Sequence, residues 1–252
     1  MPTPFTHLAA ARRLLHDQQV PAGMRALFAA HSGAYWLGNV AADAQVITSI
    51  KREDTHFYSY ERPMEDLPWR VMMAMHPSLR TLSDGEARAF LAGYVAHLAM
   101  DEVWLTEMLR PYFAEREWAP RPTRFFLLNI LLVYMDERDY TAVNGGQHGI
   151  SAALAAVRSR NWLPFLPDDV LHEWGALIAR QTAPGGLSET LEIIAPRVQS
   201  TPADLRAMLD SSERMGRDLW AHVPPDILAS VEADMYAHAR AQMIMYLNET
   251  EC

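Results

Sequence analysis

The sequence has almost no cysteine, little glycine and no long apolar run. Cys252 is the one cysteine in 252 residues, which excludes a disulfide framework and a cysteine-rich zinc module. The longest nearly apolar run, Phe125 to Met135, is too short to cross a bilayer. The first residues lack a basic segment followed by an apolar one. We therefore expect a cytoplasmic protein with no secretory signal and no transmembrane segment.

Basic residues are also scarce. The chain has 22 Lys and Arg against 31 Asp and Glu, a formal net charge of −9. So acidic a chain has no general electrostatic attraction to duplex nucleic acid or to an anionic membrane. The apolar fraction is 50%, which is enough to build a sizeable core and excludes global disorder.

Helical periodicity dominates the chain, and no segment alternates convincingly between apolar and polar residues. This pattern predicts an all-α protein, a multi-helix bundle. Residues 1–140 are expected to form a metal-binding helical core, and residues 141–252 to add helices packed on it within the same domain. The weakest seam is predicted near residues 140–149. No set of candidate metal ligands occurs in the second part. We expect this part to shape access to the core. A role in forming a homodimer stays an open alternative.

The clearest helix is predicted over residues 83–110. Ser83 and Glu86 have the spacing of a capping box at its start. Pro111 is expected to stop the helix. Between these points the apolar residues recur at spacings of three and four, which predicts a stripe that faces the core. Residues 44–68, in contrast, are rich in charge and tyrosine and predict a long loop.

His97 and Asp101 lie in the middle of that apolar stripe. A buried aspartate is costly unless something pairs with it. The i, i+4 spacing puts both side chains on one face of the helix, so both could bind one cation. A satisfied pair within the core explains the pattern equally well. The same spacing recurs at His222 and Asp226, where two prolines interrupt it, and we interpret that instance as chance.

Three other polar residues have similar settings but favour ordinary explanations in isolation. His7 would be a histidine at a helix start, Asp43 an exposed acid after a buried helix, and His56 a surface or packing histidine in the long loop. Together with His97 and Asp101 they make three imidazoles and two carboxylates. That donor set suits Zn²⁺, with Mn²⁺ or Fe²⁺ as lesser options.

Four segments of the first part follow one another in a fixed order. They are Pro4-Phe5-Thr6-His7, Leu37-Gly38-Asn39-Val40-Ala41-Ala42-Asp43, Glu53-Asp54-Thr55-His56-Phe57 and Phe90-Leu91-Ala92-Gly93-Tyr94-Val95-Ala96-His97-Leu98-Ala99-Met100-Asp101. In this order they resemble bacterial zinc-dependent phospholipase C, which shares its superfamily with the fungal single-strand-specific nucleases. The resemblance covers about residues 1–140 and implies an all-α fold around a zinc cluster that cleaves phosphoester bonds.

The resemblance also implies a ligand set. One zinc would be held by Asp43, His56, His97 and Asp101. A second would be held by His7, by the bridging Asp101 and by the terminal amine and carbonyl of the mature chain, which removal of Met1 would assign to Pro2. No histidine lies between His97 and His148, so the family's third zinc is expected to be absent or differently liganded.

By the same resemblance, one or two zinc ions would polarise a phosphoryl oxygen and lower the pKa of a bridging water toward 7. Asp43 is the candidate catalytic residue that would orient or deprotonate this water. Candidates to line the substrate pocket are Trp36, Phe57, Tyr58 and Tyr94, although ordinary aromatic packing is the favoured explanation for them. The expected activity is that of a phosphodiesterase on a small-molecule or lipid phosphoester, with an unidentified head group.

Three rival hypotheses stay open at this point. Glu53 and His56 fit the Glu-x-x-His motif of di-iron carboxylate bundles, but a second such motif is missing. A non-catalytic helical protein could keep a structural metal at the same residues. A plain helical scaffold would bind no metal at all.

Overall fold

The computed structural model describes residues 1–144 and 149–250. Across these residues it contains helices and turns and no strand, which confirms the all-α prediction. The predicted seam at residues 140–149 falls partly outside the described residues, and His148 and Cys252 fall outside them. The α-helices of the first part are α1 (Pro4–His16), α2 (Ala22–Ala30), α3 (Ser32–Ala41), α4 (Arg52–His56), α5 (Pro68–Met75), α6 (Gly85–Val103) and α7 (Arg121–Asn144).

The second part is also helical. Its α-helices are α8 (Ile150–Ala156), α9 (Asp168–Gln181), α10 (Thr190–Ile194), α11 (Pro202–Leu209), α12 (Ser212–Arg214) and α13 (Pro225–Glu249). Tighter 3₁₀ turns occupy Ala42–Ile47, Pro77–Thr81 and Ala195–Val198, and wider π-type turns occupy Trp104–Glu115 and Met215–Trp220. Within the described residues, no helix is both long and apolar enough to span a membrane.

Helix α6 lies at the centre of the molecule. Nearly all of its residues from Ala87 onward are buried, on every side of the helix and not only along the predicted stripe. Helices α3 and α13 pack along it. A helix that is apolar around its whole circumference must be enclosed by other elements. The polar residues that α6 carries are therefore held deep inside the protein.

Glycines let α3 and α6 approach each other closely. A Cβ on Gly38 of α3 would collide with the carbonyl oxygen of Phe90 in α6, and a Cβ on Gly93 of α6 would meet the carbonyl oxygen of Tyr35 at 2.6 Å. Both contacts are with rigid backbone rather than with a movable side chain. This close crossing brings the backbone of α3 next to the middle of α6.

Three local predictions were wrong. Ser83 does not cap α6, because the neighbouring Asp84 takes that place and its carboxylate accepts a hydrogen bond from the amide of Ala87 at 3.0 Å. Pro111 does not end the helical path, since it lies inside the wide turn Trp104–Glu115. A wider turn shifts the carbonyl that would otherwise clash with the proline ring. The long loop over residues 44–68 is interrupted by α4.

The helices of the second part pack directly on the first. Helices α8 and α9 contact α3, and the indole of Trp174 in α9 donates a hydrogen bond to the carbonyl of Val40 at 2.7 Å. The indole of Trp69 in α5 donates to the side-chain oxygen of Gln242 in α13 at 2.9 Å. Because α8 and α9 cover α3 and α13 packs along α6, the second part contributes to the burial of both central helices.

A buried carboxylate anchors the first residues of the chain. Asp136 of α7 accepts hydrogen bonds from the hydroxyl of Thr3 and, at 3.1 Å, from the hydroxyl of Ser188. Burial raises the pKa of Asp136 to about 6, although these hydroxyls partly offset the effect. The anchor holds the segment that leads into α1.

The helix crossing gives a first prediction. Gly38→Ala should lower the free energy of unfolding by about 1–3 kcal/mol, the usual cost of overpacking a core. Gly23→Ala is the matched control, because nothing lies within 4 Å of its added Cβ. In helix α2 alanine should stabilise by up to about 1 kcal/mol. Urea denaturation measures both, and an unchanged midpoint for Gly38→Ala would contradict the close crossing.

Asp136 gives a second prediction. Its pKa is higher in the folded than in the unfolded chain, so its contribution to stability is present at low pH and is lost as the pH rises through about 4 to 6. Asp136→Asn should therefore stabilise the protein above pH 6, by up to about 3 kcal/mol for a two-unit shift, and not at pH 3.5. Equal differences between the two proteins at pH 3.5 and pH 7.5 would contradict this account.

Candidate metal centre

The five residues predicted as metal ligands lie together in one cluster. They come from four elements: His7 from α1, Asp43 from the turn after α3, His56 from the end of α4, and His97 and Asp101 from α6. Nε2 of His56 lies 3.3 Å from Oδ2 of Asp101 and 3.5 Å from Oδ1 of Asp43. Nε2 of His97 lies 3.8 Å from Oδ2 of Asp101. Residues far apart in sequence are thus brought within a few ångströms of one another.

Main-chain oxygens orient two of the imidazoles. Nδ1 of His97 lies 2.9 Å from the carbonyl oxygen of Asn39. Nδ1 of His56 lies 3.2 Å from the carbonyl oxygen of Arg52 and 2.9 Å from the hydroxyl of Thr55. A carbonyl can only accept, so both Nδ1 atoms carry a proton. In the neutral rings this leaves lone pairs on the two Nε2 atoms, which face each other at 3.4 Å. A cation between them would remove their repulsion.

Buried polar atoms in the cluster lack hydrogen bonds, which is the test of whether the site fits a metal. Neither ring nitrogen of His7 has a hydrogen-bond partner, and Oδ1 of Asp101 has none. Nε2 of His7 and this oxygen lie 3.4 Å apart without normal hydrogen-bond geometry. Leaving such a group unsatisfied costs about 1–3 kcal/mol. A cation between the imidazole and the carboxylate would satisfy both, so these donors fit a metal.

Arg52 and Tyr58 hold the other oxygen of Asp101. A guanidinium nitrogen of Arg52 donates to Oδ2 at 2.8 Å, and the hydroxyl of Tyr58 lies 3.4 Å from the same oxygen. The same guanidinium nitrogen also donates to Tyr58 at 2.7 Å. Because Oδ2 is occupied in this way, Oδ1 is the oxygen that is left for a cation.

The cluster combines ionised carboxylates with neutral imidazole. Burial opposes ionisation of Asp43, but its contact with His56 and its proximity to His97 outweigh burial and lower its pKa to about 2. For Asp101, burial is likewise outweighed by the surrounding imidazoles, with His97 first, and its pKa lies well below the usual range. Burial and the neighbouring His7 lower the pKa of His97 to about 3. Metal ligands need these protonation states.

The ligand atoms form two overlapping groups, each within 4.8 Å: His7, His97 and Asp101, and Asp43, His56 and His97. His97 belongs to both groups. Since its Nδ1 is engaged by a main-chain carbonyl, its one remaining nitrogen can bind only one ion. The described residues therefore provide at least three ligands for a first ion and fewer for a second.

A cavity of about 200 Å³ adjoins the cluster. Asp43 lines it and is the one predicted ligand that does so. Its side chain keeps 14% of its surface exposed, whereas the other four ligands have none. Met1 and Pro2 also line the cavity. The amino group of Met1 is buried, which lowers its pKa to about 6 against the attraction of Asp101.

The four aromatic residues predicted for the substrate pocket are not among those lining this cavity. Trp36 is in the core, and Tyr94 donates a hydrogen bond to the carbonyl of Thr55 at 2.7 Å. Tyr58 contacts Asp101 as described. Phe57 ends α4 with a positive φ of 62°, which is unusual for an aromatic residue, and packs against Phe165. Tyr58 and Tyr94 therefore support the ligands, whereas Trp36 and Phe57 pack against other aromatic side chains.

Two arginines of the site were missed. Arg52 lies four residues before His56, a spacing that puts both on one helix face, but a five-residue helix gives too short a pattern to predict. Nothing in the sequence around Arg197, the second arginine at the cavity, indicated its place. Glu53 is exposed, so the Glu-x-x-His motif of a di-iron bundle does not face the cluster.

No family model, no curated protein and no solved structure matches the chain. The resemblance to zinc-dependent phospholipase C therefore stays a prediction, and the arrangement of the five ligands is what supports a metal centre.

Thr55 gives a third prediction. Its hydroxyl lies against Nδ1 of His56, and loss of such an outer contact weakens metal binding about 10-fold to 100-fold. Thr55→Val keeps the shape but removes the hydroxyl, so zinc affinity should fall at least about tenfold. Thr106→Val is the matched control, because Thr106 is exposed and its hydroxyl bonds only to helix carbonyls. Competition with a chromogenic chelator measures both, and equal affinities would contradict the orienting role.

Proposed function

We propose that the chain is a zinc-dependent hydrolase of phosphoester bonds, with chemistry similar to that of zinc-dependent phospholipase C. The observation that carries the proposal is the buried cluster of three histidines and two aspartates that reaches a cavity at Asp43. The substrate would enter that cavity.

Zinc is the metal that these ligands favour. Neutral imidazole nitrogen and carboxylate oxygen are common zinc ligands, and the unpartnered atoms of His7 and Asp101 would contribute to its binding. His56, His97 and Asp43 would complete the set. A bound zinc would supply Lewis acidity toward a phosphoryl oxygen and would make a water acidic near neutral pH.

Asp43 has the position expected of a residue that meets substrate. It combines ligand distance to His56 with a surface on the cavity. A pKa of about 2 makes its carboxylate a weak base at neutral pH. Asp43 would therefore accept a hydrogen bond from the attacking water and orient it, rather than take its proton. Arg52 fixes Asp101 from the same side and adds positive charge beside the reaction site.

A structural metal without catalysis is the second candidate. It is favoured by the complete burial of His7, His56, His97 and Asp101. In that case the metal would hold α1, α4 and α6 together, and substrate would not reach it. Metal content alone supports both functions, so the test must also measure turnover.

The fourth prediction tests the proposal. Purified protein without a tag should contain about one or two zinc ions per chain by elemental analysis and should hydrolyse a chromogenic phosphoester. The double variant His97→Ala, Asp101→Asn should lose both, since it removes a ligand from each group. The control is His222→Ala, Asp226→Asn, which has the same spacing but lies near the surface.

Each result has one meaning. Zinc with turnover, both lost in the double variant and kept in the control, supports the hydrolase. Zinc without turnover on any of a panel of phosphomonoesters and phosphodiesters leaves the structural metal. If the wild type contains no zinc, even after zinc is supplied, both the hydrolase and the structural metal site are excluded.

A further inference from the structure

The cavity beside the cluster is basic, although the chain as a whole carries a net charge of −9. Two guanidinium groups line it, from Arg52 of α4 and from Arg197 of the turn after α10. Asp43 is the one acidic residue in the lining. A basic cavity in an acidic protein indicates an anionic ligand.

Both guanidinium groups have donors to spare. Arg52 uses one nitrogen for Asp101 and Tyr58. Its other N–H groups have no hydrogen-bond acceptor within the described residues. Arg197 is exposed, and no hydrogen bond or ion pair ties it to the rest of the described chain. Arginine matches phosphate oxygens well because its planar fork donates two parallel hydrogen bonds.

Apolar side chains also line the cavity. They come from Leu132 of α7, from Trp174 and Ile178 of α9, and from Ile194 of α10. A cavity of about 200 Å³ has room for a small organic group beside a phosphate. A ligand that combines a compact anion with a small apolar group fits this lining.

The charges of the site set the charge of that anion. The carboxylates of Asp43 and Asp101 neutralise one divalent cation. Arg52 and Arg197 then leave two positive charges, which a dianion would balance. A phosphomonoester carries two charges above its second pKa of about 6, whereas a phosphodiester carries one. A second zinc would only increase the preference for the dianion.

We propose that this cavity binds small phosphomonoesters with an apolar organic group, and that Arg52 and Arg197 hold their phosphate. The inference rests on the proposed function, and it narrows that function from the diesters expected by resemblance to monoesters. Arg197 is the specificity-determining residue, because it has no role in supporting the metal ligands.

The test uses two ligands that the protein cannot hydrolyse. Phenylphosphonate is a dianion at pH 8.5, and methyl(phenyl)phosphinate keeps the ring and has no ester bond but carries one charge less. Calorimetric titration of the zinc-loaded protein should give at least about tenfold tighter binding of phenylphosphonate. Arg197→Ala should weaken that binding about tenfold, the usual effect of losing one charge-assisted hydrogen bond, and should reduce the preference for the dianion.

Arg116→Ala is the matched control, because Arg116 is also exposed and does not line the cavity. It should leave both affinities within about twofold of the wild type, as expected for an uninvolved surface charge. Equal binding of the two ligands by zinc-loaded protein, or no effect of Arg197→Ala, would overturn the inference while the zinc site stands. Wild-type protein that takes up no zinc would overturn the proposed function together with the inference.

Discussion

The burial of one carboxylate, that of Asp101, is the constraint on which the rest of the structure depends. Its side chain is inaccessible to solvent in the middle of a helix that is enclosed on all sides. An ionised carboxylate in that position is tolerated only with compensating positive charge and hydrogen bonds. Arg52 supplies part of this at one oxygen, and the other oxygen has no hydrogen bond. Three imidazoles converge on the same group. The folded chain thus concentrates nitrogen donors around a charge that protein groups alone leave incompletely satisfied.

The sequence predicted the parts of this arrangement that leave a periodic trace. Helix α6 is long and apolar, so an aspartate and a histidine one turn apart within it stood out as anomalous. Asp43 and His56 gave no such trace, because Asp43 follows the end of a buried helix and His56 lies in a polar segment. They entered the candidate site as members of a zinc donor set, to which the resemblance then gave an arrangement. Arg52 was missed since α4 has only five residues. The cap at Asp84 and the wide turn around Pro111 depend on local backbone geometry. The sequence does not determine this geometry, because Ser83 and Asp84 are both residues that can cap a helix and a proline usually ends one.

The close crossing of α3 and α6 links the fold to the site. Gly38 and Gly93 let the two backbones meet, and the carbonyl of Asn39 then reaches His97. Helix α4 is fastened in turn by the hydrogen bond from Tyr94 to Thr55, which sets the position of His56. Two of the aromatic residues that were expected to face substrate, Tyr58 and Tyr94, thus act as supports for the ligands. Orientation by rigid backbone is the usual way to fix an imidazole for metal binding.

A metal bound by residues from four elements would stabilise the fold whether or not it had a catalytic role, because binding energy at such a site is also folding energy. Thermal stabilisation by zinc therefore does not separate an enzyme from a structural metalloprotein. Access does. Four ligands are sealed, and Asp43 alone reaches the cavity. Arg52 compensates the charge of Asp101 there, whereas Arg197 adds a positive charge that the metal ligands do not require. A structural site has no need of this second guanidinium group, because its charge would only repel the cation. The position of Arg197 favours a site built to bring an anion to a metal.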